Sequence, residues 1–233
     1  ASVPDPKVRE DLCYLAGKYF TGPGLKEFIT SFHPNAECQS AVLTGYCRNL
    51  VLSDPSGAVD TFVKMRPSNV NFAGIVTIMN ALPPGTDFPA VSATLPDDSK
   101  SIAKRSRAAL LTSWAAVRPE EAAQYVISNS SLASPDQMGV VIGKWAATSP
   151  DDASVWIEAL SPGKPRDEGA SALARHWMTT DPHKAWELSG KIGDFDKRLE
   201  TATAVFKAWE KTDREAATRS WTEMFPTTDS TSE

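Results

Sequence analysis

Apolar residues recur at helical spacing along most of the chain, and in its second half they keep a fixed beat. Trp114, Trp145, Trp177 and Trp209 follow one another at steps of 31, 32 and 32 residues. Three and four positions before each tryptophan stands an apolar pair: Leu110/Leu111, Val141/Ile142, Leu173/Ala174 and Val205/Phe206. That spacing lays one stripe along a helix that ends just beyond the tryptophan. Five residues after the first three tryptophans comes proline (Pro119, Pro150, Pro182), and eight after all four comes alanine (Ala122, Ala153, Ala185, Ala217). Eleven after the first three comes a large apolar residue: Tyr125, Trp156 and Leu188. Registers that repeat in step at this length are the mark of a repeat protein, here with a period of about 32 residues.

The residues between the stripes predict a turn and a second helix. Ser149 and Asp181 precede their prolines and are good acceptors for the orphan amides of a helix start. Proline follows at the first helical position, where its missing N–H costs nothing. Glu120-Glu121 and Asp151-Asp152 then place negative charge at the positive end of the helix dipole. The alanine one turn later is small enough to let two helices approach. Each period therefore reads as a first helix ending, a tight turn and a second helix beginning. The fourth copy departs from the pattern: Arg214 replaces proline and Trp221 falls twelve residues after Trp209, as expected of a terminal repeat.

Weaker copies run upstream. Leu50, Pro55 and Ala58 keep the register, with Asp54 as cap and Tyr46 and Cys47 at the apolar positions. Leu82 stands beside Pro83-Pro84-Gly85, after an Ile75, Ile78, Met79 stripe. Before Gly22-Pro23-Gly24, the residues Leu12, Leu15, Ala16 and Tyr19 form the core-facing stripe of a first helix. The expected fold is all-α: a right-handed α-solenoid of up to seven antiparallel helical hairpins in one continuous array. Residues 1–85 hold degenerate hairpins, 86–98 a loop carrying Pro89 and Pro96, 99–225 the regular repeats, and 226–233 a disordered tail.

The segment Pro150-Asp-Asp-Ala153-Ser-Val-Trp156 resembles the P-x2-A-x2-W opening of a tetratricopeptide repeat helix, with Tyr125 and Leu188 at the tryptophan place elsewhere. The stretch from Asp167-Glu168-Gly169 to Asp181-Pro182 is similar to that family's second helix. The resemblance spans roughly residues 99–225 and implies a tetratricopeptide-like stack, with a period nearer 32 than the family's ~34. The Leu-Gly pair that follows the tryptophan in the family is missing here. Ser161-Pro162-Gly163 also cuts the opening helix short. The chain is also similar to Trp/Pro/Ala helical repeats of exported bacterial proteins, which implies no activity.

Composition narrows the function by exclusion. The chain has 233 residues, 41% hydrophobic and 23% charged, with a net charge of −5, so nothing overall draws it to nucleic acid or an anionic membrane. No apolar run nears the ~20 residues of a membrane span, which predicts a soluble body. The first residue is Ala1, and either a removed signal peptide or anchor or a trimmed end fits; export is slightly preferred. Cys13, Cys38 and Cys47 are an odd set. They fit one disulfide plus a free thiol, with Cys38–Cys47 the pair nearest in sequence, or three buried reduced thiols, the plainer alternative.

Catalytic motifs are missing from the pattern. His33, His176 and His183 form no spaced ligand pair, and His33 with Cys38 and Cys47 matches no metal-site class. Asp97-Asp98 and Asp151-Asp152 lie at expected helix starts, where capping explains them. No nucleophile elbow, phosphate loop or dinucleotide fingerprint occurs. One charge anomaly stands out: Lys100, Lys104, Arg105, Arg107 and Arg118 are basic with no acid between them. They are read either as a solvated helix face or as a landing strip for an acidic partner, with no interleaved aromatics to suggest nucleic acid.

The expectation is a scaffold that binds a protein or peptide, with no catalytic activity and no cofactor. Two alternatives belong to other classes. One is a helical-toroid enzyme or ligand-binding domain with groups scattered over several repeats. The other is a regulatory domain of a longer membrane-anchored protein.

Overall fold

A computed structural model describes residues 5–32, 34–65, 73–96, 101–130, 133–134 and 136–226. Among them are fourteen helices and no strand. The helices hold 73% of the described residues, more than twice the usual share of about a third. No helix among these residues is long and apolar enough to cross a membrane. The chain divides into two compact units, Ala1–Val117 and Arg118–Glu233.

The first unit begins with α1 (Pro6–Lys18), capped by the Asp5 carboxylate, which accepts from the Lys7 amide at 2.8 Å. A short α2 (Leu25–Thr30) follows Gly24, whose φ of 82° suits a residue without a side chain. Next come α3 (Ala36–Leu50), α4 (Pro55–Met65), α5 (Ala73–Met79), α6 (Phe88–Ala93) and α7 (Ser101–Ala115). Helices α1 and α3 meet through glycines. A methyl group at Gly17 would overlap the Val42 carbonyl, and one at Gly45 would overlap the Tyr14 carbonyl.

This crossing overturns the expected orientation of α1. The residues it buries are Cys13 and Gly17, whereas Leu12, Leu15 and Tyr19 are exposed and Ala16 half-buried. Periodicity located a stripe correctly but put it on the wrong side, because α1 packs by backbone approach rather than by large side chains. The cysteines are corrected too. A disulfide joins Cys13 of α1 to Cys38 of α3, with Cα atoms 5.3 Å apart, and Cys47 is a free, buried thiol. A Cys38–Cys47 bridge is ruled out by the helix that holds both. Nine residues at 1.5 Å rise separate them by roughly 13 Å, against a limit of about 7 Å.

The Leu50 copy of the register is realised in full. The Leu50 carbonyl accepts from the Ser53 and Asp54 amides at 3.0 and 2.9 Å. The Asp54 carboxylate caps Gly57 at 2.8 Å, and Ala58 is wholly buried. The Leu82 copy is not: α5 stops at Met79 and the next helix starts only at Phe88. Residues 86–98, expected as a loop from their prolines, contain α6. Asp87 caps this helix at 3.0 Å, and Pro89 stands in its first turn, where proline favours a helix. Phe88 then stacks on Trp114 at 5.3 Å, placing the first beat tryptophan in this unit's core.

The second unit holds α8 (Pro119–Ser128), α9 (Asp136–Ala146), α10 (Pro150–Glu158), α11 (Lys164–Trp177), α12 (Pro182–Gly190), α13 (Phe195–Trp209) and α14 (Arg214–Met224). Its turns are copies of one another. The carbonyls of Trp145, Trp177 and Trp209 each accept two amides, from the residues three and four further on, at 2.8 to 3.0 Å. Ser149, Asp181 and Asp213 then adopt nearly one conformation, φ −146 to −148° and ψ 72 to 87°. Their carbonyls accept at 3.1 Å from Ala153, Ala185 and Ala217, all fully buried.

Asp181 and Asp213 cap through their carboxylates, but Ser149 does not, so the main chain sets this turn. Arg214 at the proline position leaves the geometry intact for the same reason. Helix α11 packs against α9 and α13, and each helix from α8 onward packs against the next. The tail lies outside the described residues except for Pro226.

Candidate functional site

The second unit has two surfaces where side chains from successive repeats meet. On the first, α10 and α12 are bridged by Asp151–Lys184 at 3.3 Å and Glu158–Lys191 at 2.6 Å. The Lys184 ammonium also sits 5.1 Å from the centre of the Trp177 ring, a cation–π contact. Between the bridges lies an open hollow of about 240 Å³ with the exposed Val155 at its rim. Two of its three acids, Asp151 and Glu158, face lysines, and Glu187 is the third.

The second surface is formed by α11 and α13. Lys197 bridges to Glu168 at 3.1 Å and to Glu200 at 3.7 Å, and Arg175 reaches Glu200 at 2.6 Å. Beside this chain of charges, α13 presents Asp196, Leu199, Glu200, Thr203, Ala204 and Lys207 along an open depression of about 500 Å³. Leu199, Thr203 and Ala204 are only half-buried, so the depression offers an apolar floor between charged edges.

Two buried contacts hold α13 in place. The Ser171 and Thr201 hydroxyls lie 2.8 Å apart between α11 and α13. The buried Asp167 carboxylate accepts from the Gly193 and Asp194 amides at 2.9 and 3.0 Å. Asp167 thus fixes the loop leading into α13, satisfying amides that the turn leaves without helical partners. Sequence reasoning missed it because a lone acid in a helix looks solvated; no spacing rule marks a carboxylate aimed at a loop 26 residues away.

The basic residues singled out from the sequence are dispersed. Lys104 and Arg105 are exposed on α7. Arg107 is buried, its guanidinium donating to the Pro96 carbonyl at 3.5 Å, so it presents no charge to a partner. Arg118 belongs to the other unit and pairs with Glu121 at 3.1 Å. Lys100 lies outside the described residues, as do His33, Asp97 and Asp98.

His176 is exposed, and His183 packs edge-on against Trp209 at 4.5 Å. Burial pushes the Cys47 thiol up to about 12, which keeps it protonated and unreactive near neutral pH. Among the described residues no three His, Cys, Asp or Glu side chains converge to hold a metal ion.

No protein-family model, curated protein or solved structure matches the chain. Any functional assignment therefore rests on the molecule's own geometry.

Proposed function

We propose that the second unit is a right-handed, tetratricopeptide-like stack of antiparallel helical hairpins that binds a protein or peptide and catalyses nothing itself. The observation that carries this reading is the repeated turn. Three tryptophan carbonyls, three residues at the N-cap position and three buried alanines take the same backbone geometry at each period. Such a repeat stacks helices in a row and builds an extended face rather than an enclosed pocket. The row α9, α11, α13 supports it, with the α13 depression as the binding surface.

The expected ligand is an extended or helical peptide. It would place an apolar side chain over Leu199 and Thr203 and carry both signs of charge to match the edges. Lys104 and Arg105 are the exposed members of the basic patch on α7. The test is selection from a peptide library on the intact chain, repeated with Leu199→Arg and Thr203→Arg. Selected peptides should lose at least tenfold in affinity while circular dichroism stays unchanged. Unaltered binding by both variants would contradict the assigned face, and turnover of a small molecule by the purified chain would contradict the scaffold reading.

A further inference from the structure

Helix α1 is turned inside out relative to an ordinary surface helix. Its inward face carries Cys13 and Gly17, while Val8, Leu12, Leu15 and Tyr19 are 47, 50, 43 and 71% exposed. These four are not scattered. Their spacing of four, three and four residues is the narrow a/d seam of a two-helix coiled coil, not the wider stripe of a helix lying on a core. The glycine crossing on α3 and the Cys13–Cys38 disulfide fix α1 on its opposite side, so the seam is presented ready-made.

We propose that this seam is a self-association surface, on which α1 of a second copy of the chain packs antiparallel. The flanking charges select both the occupant and the direction. Asp11 and Lys18 occupy equivalent positions, one heptad apart, on the same edge of the seam. When two copies run antiparallel about a two-fold axis, Val8 layers with the partner's Tyr19 and Leu12 with the partner's Leu15. Asp11 then meets the partner's Lys18, and the same pair recurs on the other side of the axis. A parallel pairing would set Asp11 against the partner's Ala16 and gain no charge contact. The surface is thus complementary to itself, as a closed two-fold interface requires. Four seam residues cover less than the ~800 Å² per partner of a standard interface, so association is expected to be reversible.

Sedimentation equilibrium over a broad concentration range tests this, with circular dichroism as the folding control. The wild type should be a reversible dimer, and Leu12→Glu with Leu15→Glu should remain monomeric. Asp11→Lys or Lys18→Asp alone should each weaken association several-fold, because two like-charge contacts replace two ion pairs. Combining Asp11→Lys with Lys18→Asp should restore it. These charge variants keep the question open to refutation should the double glutamate variant misfold. A wild type that is monomeric throughout, or a dimer that survives in folded Leu12→Glu/Leu15→Glu, would overturn the proposal. Failure of the combined swap to restore association would overturn the antiparallel pairing.

Discussion

The two units solve one packing problem in opposite ways. In the second unit, helices are held together by large side chains in fixed register, with Trp145, Trp177 and Trp209 buried at helix ends and an alanine opposite each turn. In the first unit, α1 and α3 are held by what is missing: Gly17 and Gly45 let the backbones touch, and a disulfide secures the contact. Interlocking bulk leaves a signal in sequence, because large apolar residues must recur at helical spacing. Close backbone approach leaves almost none, because a glycine in a helix looks like a weakness until its neighbour is seen.

The largest effect that would break this contrast is in the second unit. Trp145→Ala should cost about 3–5 kcal/mol, as large aromatic truncations in cores do, read by denaturant unfolding. A near-neutral outcome would mean that the register is decorative. In the first unit, replacing Cys13 and Cys38 by serine should cost about 3 kcal/mol for a loop of this length. Its signature would be lost exchange protection in α1 and α3.

Gly45→Ala comes next at about 1–3 kcal/mol, since overpacking against a main-chain carbonyl has no side chain to move aside. Asp181→Ala should cost about 1 kcal/mol as a lost cap. Because Ser149 forms the same turn without capping, Ser149→Ala should cost less. A penalty as large as that of Asp181→Ala would contradict a turn set by the main chain.

The Cys47 thiol adds a pH signature to the first unit. Its folded pKa is raised by burial alone, so the stability it carries is intact below the ordinary thiol range. That stability is lost as pH rises from there toward 12. In native protein at pH 8, Cys47 should resist alkylation, and denaturation without reductant should release one reactive thiol per chain. Three reactive thiols would deny the Cys13–Cys38 bridge.

Legibility followed the same division. The helix ends at Trp145, Trp177 and Trp209, and the starts at Pro119, Pro150 and Pro182, were readable from the sequence, because tryptophan, proline and alanine each have one position in the turn. The stripe in α1 was readable as a stripe but not as an exposed one, since periodicity records that a helix has two faces and not which is covered. Pro89 suggested a loop although it opens α6, as a proline does in any first turn. The ion pairs of α11 and α13 and the loop-holding carboxylate of Asp167 were beyond reach, because they join repeats through pairs 25 to 29 residues apart. Arg107 shows the converse: a charge run predicted surface where a guanidinium is buried against a carbonyl.

The central claim is that repeated turns in the second unit stack α9, α11 and α13 into a face that holds a peptide. Hydrogen-exchange mass spectrometry of the intact chain, with and without a library-selected peptide, tests it most directly. Bound peptide should slow exchange in α11 and α13, most strongly over residues 196–207, and leave α10 and α12 unchanged. Protection confined to α10 and α12, or absent from α13, would contradict the account.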